Sequence, residues 1–339
     1  MSAKQLKLVI AIPVFNDWEA ANLLLQKIDS VCVESGLSPF ILLINDGSTM
    51  PVPDDFLAWR SMASLRVDVL ELHKNLGHQR AICVALVHLC KNDPEAAVLI
   101  MDADGQDPPD QIPRLVEACL SRGQQQGVFA ARRRRMEGLT FKLFYQLYRL
   151  VHLLLVGSDI HMGNFSLLPP ALVQRLVRSN DLWCHYAAAA IKSRLPITTI
   201  PVDRAGRLSG RSQMSFVKLV LHGLSAMSVN SDIIGVRVLV FNCLLAGLGL
   251  IALASVLILR FSKSGAAVGI ATNAVGLALV LVLQIVAVCV LFTFGVLALR
   301  GGQTFIPVRD CHYFISGIRH LEFKPAGEMG KRFTGAIES

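Results

Sequence analysis

The sequence predicts an α/β fold: a mostly parallel sheet with helices on both faces, followed by a two-helix transmembrane hairpin. Three observations carry that prediction. Short apolar runs alternate with helical stretches of about a dozen residues, the pattern of a parallel sheet covered on both faces. The ends of three such runs carry acidic or turn residues, at Pro13–Asp17, Asn45–Ser48 and Asp102–Asp107. Near the C-terminal end, Val238–Leu259 and Gly265–Leu299 contain no charged residue.

The elements follow in order. Leu6–Ile12 reads as a buried strand ending at Pro13, and Trp18–Glu34 as a helix. Phe40–Ile44 and Arg66–Leu72 read as strands, Leu76–Lys91 as a helix, and Val98–Met101 as a fourth strand. A helix over about Gln111–Arg122 and a strand at Val128–Ala131 come next, and Ile197–Pro201 is a further strand. In a parallel sheet the three acidic strand ends share one edge, where ligands bind in open α/β sheets.

Composition narrows the class. The chain has 339 residues, enough for about two domains. Its hydrophobic fraction is 53% and its mean hydropathy +0.50, an excess concentrated towards the C-terminus. Met1–Leu8 is short, basic and polar, so no cleavable signal peptide is expected. The eight cysteines are scattered singly with no C-x-x-C pair, which speaks against a disulfide framework or a zinc site and for a reducing setting. Neither G-x-G-x-x-G nor G-x-x-x-x-G-K-[ST] is present, which excludes the usual dinucleotide and P-loop signatures. The net charge is +8, with basic clusters at Arg132–Arg135 and Arg204–Arg211. Nucleic acid, an anionic membrane or phosphorylated substrates would each account for that charge.

The chemistry concentrates in Val98–Pro109, VLIMDADGQDPP. A strand leaves the sheet and presents Asp102 and Asp104, with Gln106 just beyond. Carboxylate and amide oxygens are hard donors suited to Mg²⁺ or Mn²⁺. Such an ion would hold a diphosphate and neutralise its leaving charge. A bare D-x-D is more often an Asp-rich turn, so the surrounding motifs decide.

PVFND after the first strand, INDGST after the second, KNLGHQRA before a helix and LIMDADGQDPPDQIP after the fourth occur in that order. Over about residues 6–235 the chain resembles inverting glycosyltransferases of family 2. Within that family it is most similar to the polyprenyl-phosphate glycosyltransferases, the group of dolichol-phosphate mannose synthase. The resemblance implies a GT-A type fold and a role for particular residues. Pro13, Phe15 and Asp17 match the first nucleotide-binding loop, with Phe15 flanking the base. Ile44 and Asp46 match the second, with Asp46 accepting a base N–H. Singly, Phe15 reads as core and Asp46 as a turn residue. Asn45 departs from the family's usual paired Asp. Asp102, Ala103 and Asp104 match the metal and diphosphate motif, with Asp102, Asp104 and Gln106 as ligands of Mg²⁺ or Mn²⁺. Arg132 matches a phosphate-contacting residue. Asn75 and Gly77 match a structural loop.

The resemblance continues into the second half. In Met162–Leu168 the family often has G-D-F-R-L, its Asp near the acceptor; here Asn164 and Ser166 stand instead. Asn cannot be a general base, but a polyprenyl phosphate is already anionic and needs positioning more than proton removal. The family pattern R-x-x-R-x-x-G-x-[ST]-K, a loop closing over the diphosphate, is matched by Arg204, Arg207, Gly210 and Ser212, with Gln213 in place of Lys. A basic loop held by anionic lipid is the alternative there.

Membrane contacts are expected at four places. Phe141–Val156 is amphipathic, with Phe141, Phe144, Tyr145, Tyr148, Val151 and Leu155 on one face, and reads as an interfacial helix or a buried core helix. Phe216–Val229 reads as a second interfacial helix. Val238–Leu259 and about Val275–Ala298 are long enough to span. The organisation expected is a catalytic domain over 1–212, a membrane entry over 213–236, two spans within 237–299 and a tail over 300–339. The short connector makes a hairpin, and the basic residues flanking it place the catalytic domain and both termini in the cytoplasm. The resemblance implies a bacterial inner membrane. The tail has no functional reading beyond a membrane-surface or oligomer contact around Tyr313–Leu321.

The function expected is inverting transfer of a sugar from a UDP- or GDP-linked donor to a polyprenyl phosphate. Asp104, Arg132, Arg204, Arg207 and Asn164 would serve catalysis. Partners would be the donor, the acceptor and membrane lipid, not nucleic acid, with a homo-oligomer allowed because relatives with a hairpin can form tetramers. Two other readings stay open: a membrane glycosyltransferase with a different acceptor, and a non-catalytic nucleotide-sugar-binding protein. A polysaccharide synthase would usually carry Q-x-x-R-W, which is absent.

Overall fold

A computed structural model describes residues 6–132, 146, 150–157, 162–210, 216–262, 267–301 and 305–323. They fall into two compact units. One comprises Met1–Gly138, Ile160–Val229 and Phe305–Ser339, the other Leu139–Asp159 and Asn230–Thr304.

The first unit is built on an eight-stranded sheet of order β7-β5-β6-β4-β1-β2-β3-β8. Its strands are β1 (Leu8–Val14), β2 (Phe40–Asn45), β3 (Arg66–Leu72), β4 (Ala97–Ile100), β5 (Gly127–Arg132), β6 (Met162–Leu168), β7 (Ile197–Val202) and β8 (Ile315–Leu321). Parallel pairing joins β1 to β2 and β4, β2 to β3, and β5 to β7. Only β6 and β8 run against the others. Every residue of the central β1 is buried, as expected for a strand covered on both faces.

The alternation of side chains along β1 divides the core into two layers. Ile10 and Ile12 face α1 (Trp18–Ser35) and α3 (Ile112–Leu120), meeting Leu24, Leu25, Ile28 and Leu115. Val9 and Ala11 face α2 (His78–Asn92) and the short helix Tyr186–Lys192, meeting Ile82, Leu86 and Tyr186. Each fully buried Leu or Ile contributes about 1.5–3 kcal/mol of transfer free energy, before the entropy of ordering the chain is counted. α1 ends where Gly36 takes a left-handed φ of 67° and its N–H returns to Cys32.

The strands expected from apolar runs are all present. Two others are not visible as runs. β6 is interrupted by Gly163, Asn164 and Ser166, and β8 is a half-exposed edge strand. β8 comes from the tail, within the stretch Tyr313–Leu321 where a membrane-surface or oligomer contact is expected. α2 begins at His78 rather than Leu76, because the Leu76 and Gly77 N–H groups are taken by Asp46 and Gly77 has a φ of 89°.

The second unit contains the helices Ser231–Ser262 and Ala267–Gly301. Each includes a candidate membrane span, Ser231–Ser255 with mean hydropathy 2.3 and Val275–Gly295 with 3.0. Both exceed the roughly 30 Å of a bilayer's hydrocarbon layer at about 1.5 Å per residue. They approach closely at Gly249, where a Cβ would lie 2.6 Å from Val282 Cγ2. Half of the amphipathic stretch Phe141–Val156 lies outside the described residues. Its end is helical, with Leu150, Leu153 and Leu154 exposed and His152 buried. The helix Phe216–Ser228, expected at the interface, belongs to the first unit. Its Ala226 and the adjoining Val229 pack on Ala188, while Leu221 and Leu224 stay exposed.

Candidate active site

Strand direction gathers the expected residues at one edge. β1, β2, β4, β5 and β7 end there, and β6, running against them, begins there. The loops after β1, β2, β4 and β7 therefore meet, together with Asn164 at the start of β6. The edge lies where β2 and β4 leave β1 on opposite sides, a topological switch point.

The first two loops are fastened to each other. Asn16, with a left-handed φ of 53°, donates its N–H to Ser48 Oγ at 3.0 Å and its amide to Thr49 Oγ1 at 2.9 Å. Its Oδ1 accepts the Met50 N–H at 2.9 Å. Phe15 is half-buried beyond the end of β1, outside both core layers. Pro13 is inside β1, paired with Ile44. Ile44 is fully buried in the core, so its side chain packs against α2 and does not line the loop. Asp46, expected to receive a base N–H, instead accepts from Leu76 at 2.7 Å and Gly77 at 2.9 Å. This carboxylate holds the loop ahead of α2. Burial pushes its pKa up, and the two N–H bonds and His78 offset part of that. Gly47 must be glycine: a Cβ would lie 2.4 Å from the Asn75 nitrogen.

The DADGQD loop is closed by the segment after β7. Asp102 N–H donates to Asp107 Oδ2 at 2.9 Å, and Gln106 N–H to Asp104 Oδ1 at 3.0 Å. Leu208 N–H donates to the Asp104 carbonyl and Ala205 N–H to the Gln106 carbonyl, both at 3.0 Å. Gly105, with φ 76°, permits this contact, since a Cβ would lie 2.3 Å from Leu208 Cγ. Arg204 donates to Gln106 Oε1. Arg207 spans two loops, donating to Asp17 and, at 3.2 Å, to Asp104 Oδ2. Burial pushes the Asp104 carboxyl up and Asp102 adds to that, against the Gln106 N–H, Arg207 and Arg204. Ala103 turns its methyl into the core. Arg132 pairs through its backbone with Val202; its side chain, like Arg211–Gln213, lies outside the described residues.

Three further residues belong to the site and are not singled out by sequence. His78 Nε2 is 3.0 Å from Asp102 Oδ1 and 2.9 Å from the Asn164 amide nitrogen. Desolvation lowers the His78 pKa, but the carboxylates of Asp102, Asp107 and Asp46 outweigh it and the net direction is up. Gln79 joins Asn164 to the main chain of Tyr186. The available signal was the polar triplet His78-Gln79-Arg80 opening an otherwise apolar helix. Among the described residues no group of three or more His, Cys, Asp or Glu forms a metal cluster. The oxygen donors of Asp102, Asp104 and Gln106 still fit a hard cation, because two carboxylates with a carbonyl oxygen suit Mg²⁺ or Mn²⁺.

Fold and site together define a GT-A type α/β protein with an acidic cleft closed by an arginine loop. Residues 9–167, from β1 almost to the end of β6, match the family model described as Glycosyl transferase family 2. The chain is 28% identical over 226 residues to undecaprenyl-phosphate 4-deoxy-4-formamido-L-arabinose transferase of Erwinia tasmaniensis, covering 63% of this chain and 65% of the relative. The protein of the same description from Salmonella paratyphi B is 28% identical over 219 residues, covering 63% and 64%. The chain thus matches less than two thirds of the length of these curated relatives. Similar solved structures include mannosyl-3-phosphoglycerate synthase from Rubrobacter xylanophilus, at 17% identity, TM-score 0.45 and coverage of 67% and 73%. Glucosyl-3-phosphoglycerate synthase from Mycobacterium tuberculosis, in complex with Mn²⁺, UDP-glucose and phosphoglyceric acid, gives 16%, 0.48 and coverage of 68% and 80%.

Proposed function

We propose that this protein is a glycosyltransferase that moves a sugar, with inversion, from a nucleotide diphosphate sugar to a polyprenyl phosphate at the cytoplasmic membrane face. The family 2 match and the polyprenyl-phosphate transferases among its relatives support the reaction class. The observation that carries the reading is the Arg207 bridge between Asp17 and Asp104. It brings the cation-rich loop onto the acidic loop at the switch point, where a diphosphate needs both a cation and guanidinium groups.

Asp102, Asp104 and Gln106 would hold Mg²⁺ or Mn²⁺, which supplies charge neutralisation of the diphosphate. Arg204 and Arg207 exchange their present contacts for phosphate oxygens and stabilise the departing nucleotide diphosphate. Phe15 flanks the base. Asn164 removes no proton; the acceptor phosphate arrives as an oxyanion and needs orientation. Return of the chain to the sheet as β8 after the two apolar helices supports a hairpin with the catalytic unit and tail on one side. The exposed apolar residues Leu150, Val151, Leu153, Leu154, Leu221 and Leu224 support interfacial contact.

The test is a transfer assay on detergent-purified protein. It offers UDP- and GDP-sugars with undecaprenyl or dolichyl phosphate, with Mg²⁺ or Mn²⁺, and uses Asp104→Asn as control. A metal-dependent glycolipid, lost in the variant, is expected. Donor hydrolysis without glycolipid overturns the acceptor assignment, and full activity of Asp104→Asn overturns the metal assignment.

A further inference from the structure

The first unit holds both of its connections to the apolar helices on one short segment, Asn180–Lys192. On the way in, Val229 stands two residues ahead of the helix Ser231–Ser262. It packs on Ala188, and its carbonyl accepts from Lys192 Nζ. On the way back, Phe305 stands four residues past the end of the helix Ala267–Gly301, at most about 14 Å of extended chain. Its ring centroid lies 4.1 Å from that of Trp183. With the two helices read as spans, this segment lies at the border of the bilayer. The Tyr186 N–H donates to Gln79 in the first turn of α2, at 2.8 Å, so the same segment adjoins the sheet edge that carries the site.

The face beside this segment is aromatic and cationic. Phe314 joins Trp183 and Phe305, its centroid 5.2 Å from Trp183, and Tyr313 next to it is 71% exposed. Two exposed cations lie over these rings, Arg80 Cζ 5.1 Å from the Trp183 centroid and Lys74 Nζ 5.9 Å from that of Phe314. A guanidinium stacked on a ring keeps N–H donors free along its edge. The carboxylates closest to these residues in the chain are already taken: Asp181 by Lys192 at 3.4 Å, Asp310 by Arg309 at 2.6 Å and Glu71 by Arg319 at 2.5 Å. Among the described residues no carboxylate pairs with Arg80 or Lys74. We propose that this face is a seat for the phosphate of an anionic membrane lipid: Arg80 and Lys74 hold the headgroup, and Trp183, Phe305 and Tyr313 lie where headgroup meets acyl chain. Amphipathic rings gather at that level, and anionic lipid favours cations beside it. The seat flanks the site from the α2 side and turns the cleft towards the surface from which a lipid-borne acceptor arrives. The inference rests on the reading of the two apolar helices as spans, given above, and not on the transfer reaction.

The experiment places full-length protein in phosphatidylcholine nanodiscs that contain either brominated phosphatidylglycerol or brominated phosphatidylcholine, whose bromines quench tryptophan at short range. The difference between wild type and Trp183→Phe isolates Trp183 among the three tryptophans. Trp183 should be quenched at a lower content of the phosphatidylglycerol than of the phosphatidylcholine. Arg80→Gln and Lys74→Gln should each raise the phosphatidylglycerol content needed for half quenching about fivefold at low salt, with Tm close to wild type. Inserted protein whose Trp183 neither lipid quenches overturns the proposal. Equal quenching by both lipids, unchanged in the Arg80→Gln, Lys74→Gln double variant, also overturns it, because the contact would then be apolar without a phosphate seat. An unquenched Trp183 together with a mass by light scattering that falls in Tyr313→Glu would assign the face to a second copy of the chain instead. Protein that stays soluble without detergent and does not insert would overturn the spanning reading and this inference with it. Absence of sugar transfer by inserted protein overturns the reaction alone, since the quenching is read without substrate.

Discussion

At position 45 an amide stands where the resembled family usually pairs two carboxylates, and the neighbours of Asn45 give a reason. Its Nδ2 donates to Glu71 Oε2 at 2.5 Å across the β2–β3 pairing, and its Oδ1 accepts the Ser48 N–H at 2.9 Å. Glu71 also receives Arg319 from β8 at 2.5 Å. An Asp at 45 would set a second carboxylate against Glu71, and Arg319 alone would have to balance both. Asn45→Asp should therefore cost about 1–2 kcal/mol, seen as a fall of a few degrees in Tm. Glu71→Gln should recover most of that loss in the double variant. A Tm unchanged by Asn45→Asp would show that the pair is not coupled.

At the scale of elements, close approach decides the second unit. Val282 occupies the space where a Gly249 side chain would lie, so the two apolar helices meet through a small residue. Gly249→Ala should loosen that contact by about 1–3 kcal/mol, the usual cost of overpacking. Val282→Ala in the same chain should restore it. The check is thermal unfolding in detergent, and an additive loss in the double variant would contradict the contact. Arg237 serves the helical end at 150–156 in another way. Its guanidinium donates to the Leu154 carbonyl at 2.9 Å, a cation at a helix C-terminus, while Gly157 takes a φ of 81°. A residue that the sequence counts as a topology signal is thus also a helix cap.

At the scale of the molecule, the tail completes the sheet. β8 covers β3, His320 meets Asp68 at 2.7 Å, and Phe305 and Phe314 gather on Trp183 with ring centroids 4.1 and 5.2 Å away. Cys311 lies in the core, its Sγ 3.8 Å from Cys83. Truncation before Phe305 should lower Tm and raise amide exchange across Val67–Leu72, because β3 becomes an unprotected edge. Unchanged exchange there would mean that β8 adds nothing to the sheet's stability.

The sequence by itself determined the buried strands, the two spanning candidates and the order of the acidic loops. These rest on local patterns: apolar runs, charge-free lengths and turn residues next to one another in the chain. β6 and β8 escaped because neither is an apolar run; one carries the polar face of the site and the other lies half in solvent. The placement of Asp17, Asp104 and Arg207 at one edge followed from strand direction, but their bridge is a contact between loops far apart in sequence. Only the tertiary structure decided that Asp46 fastens a loop, that Ile44 belongs to the core, and that Asn164 meets His78. Each depends on which side chains the folded sheet brings within hydrogen-bonding or van der Waals distance, and sequence spacing carries no record of that across 30 residues or 86.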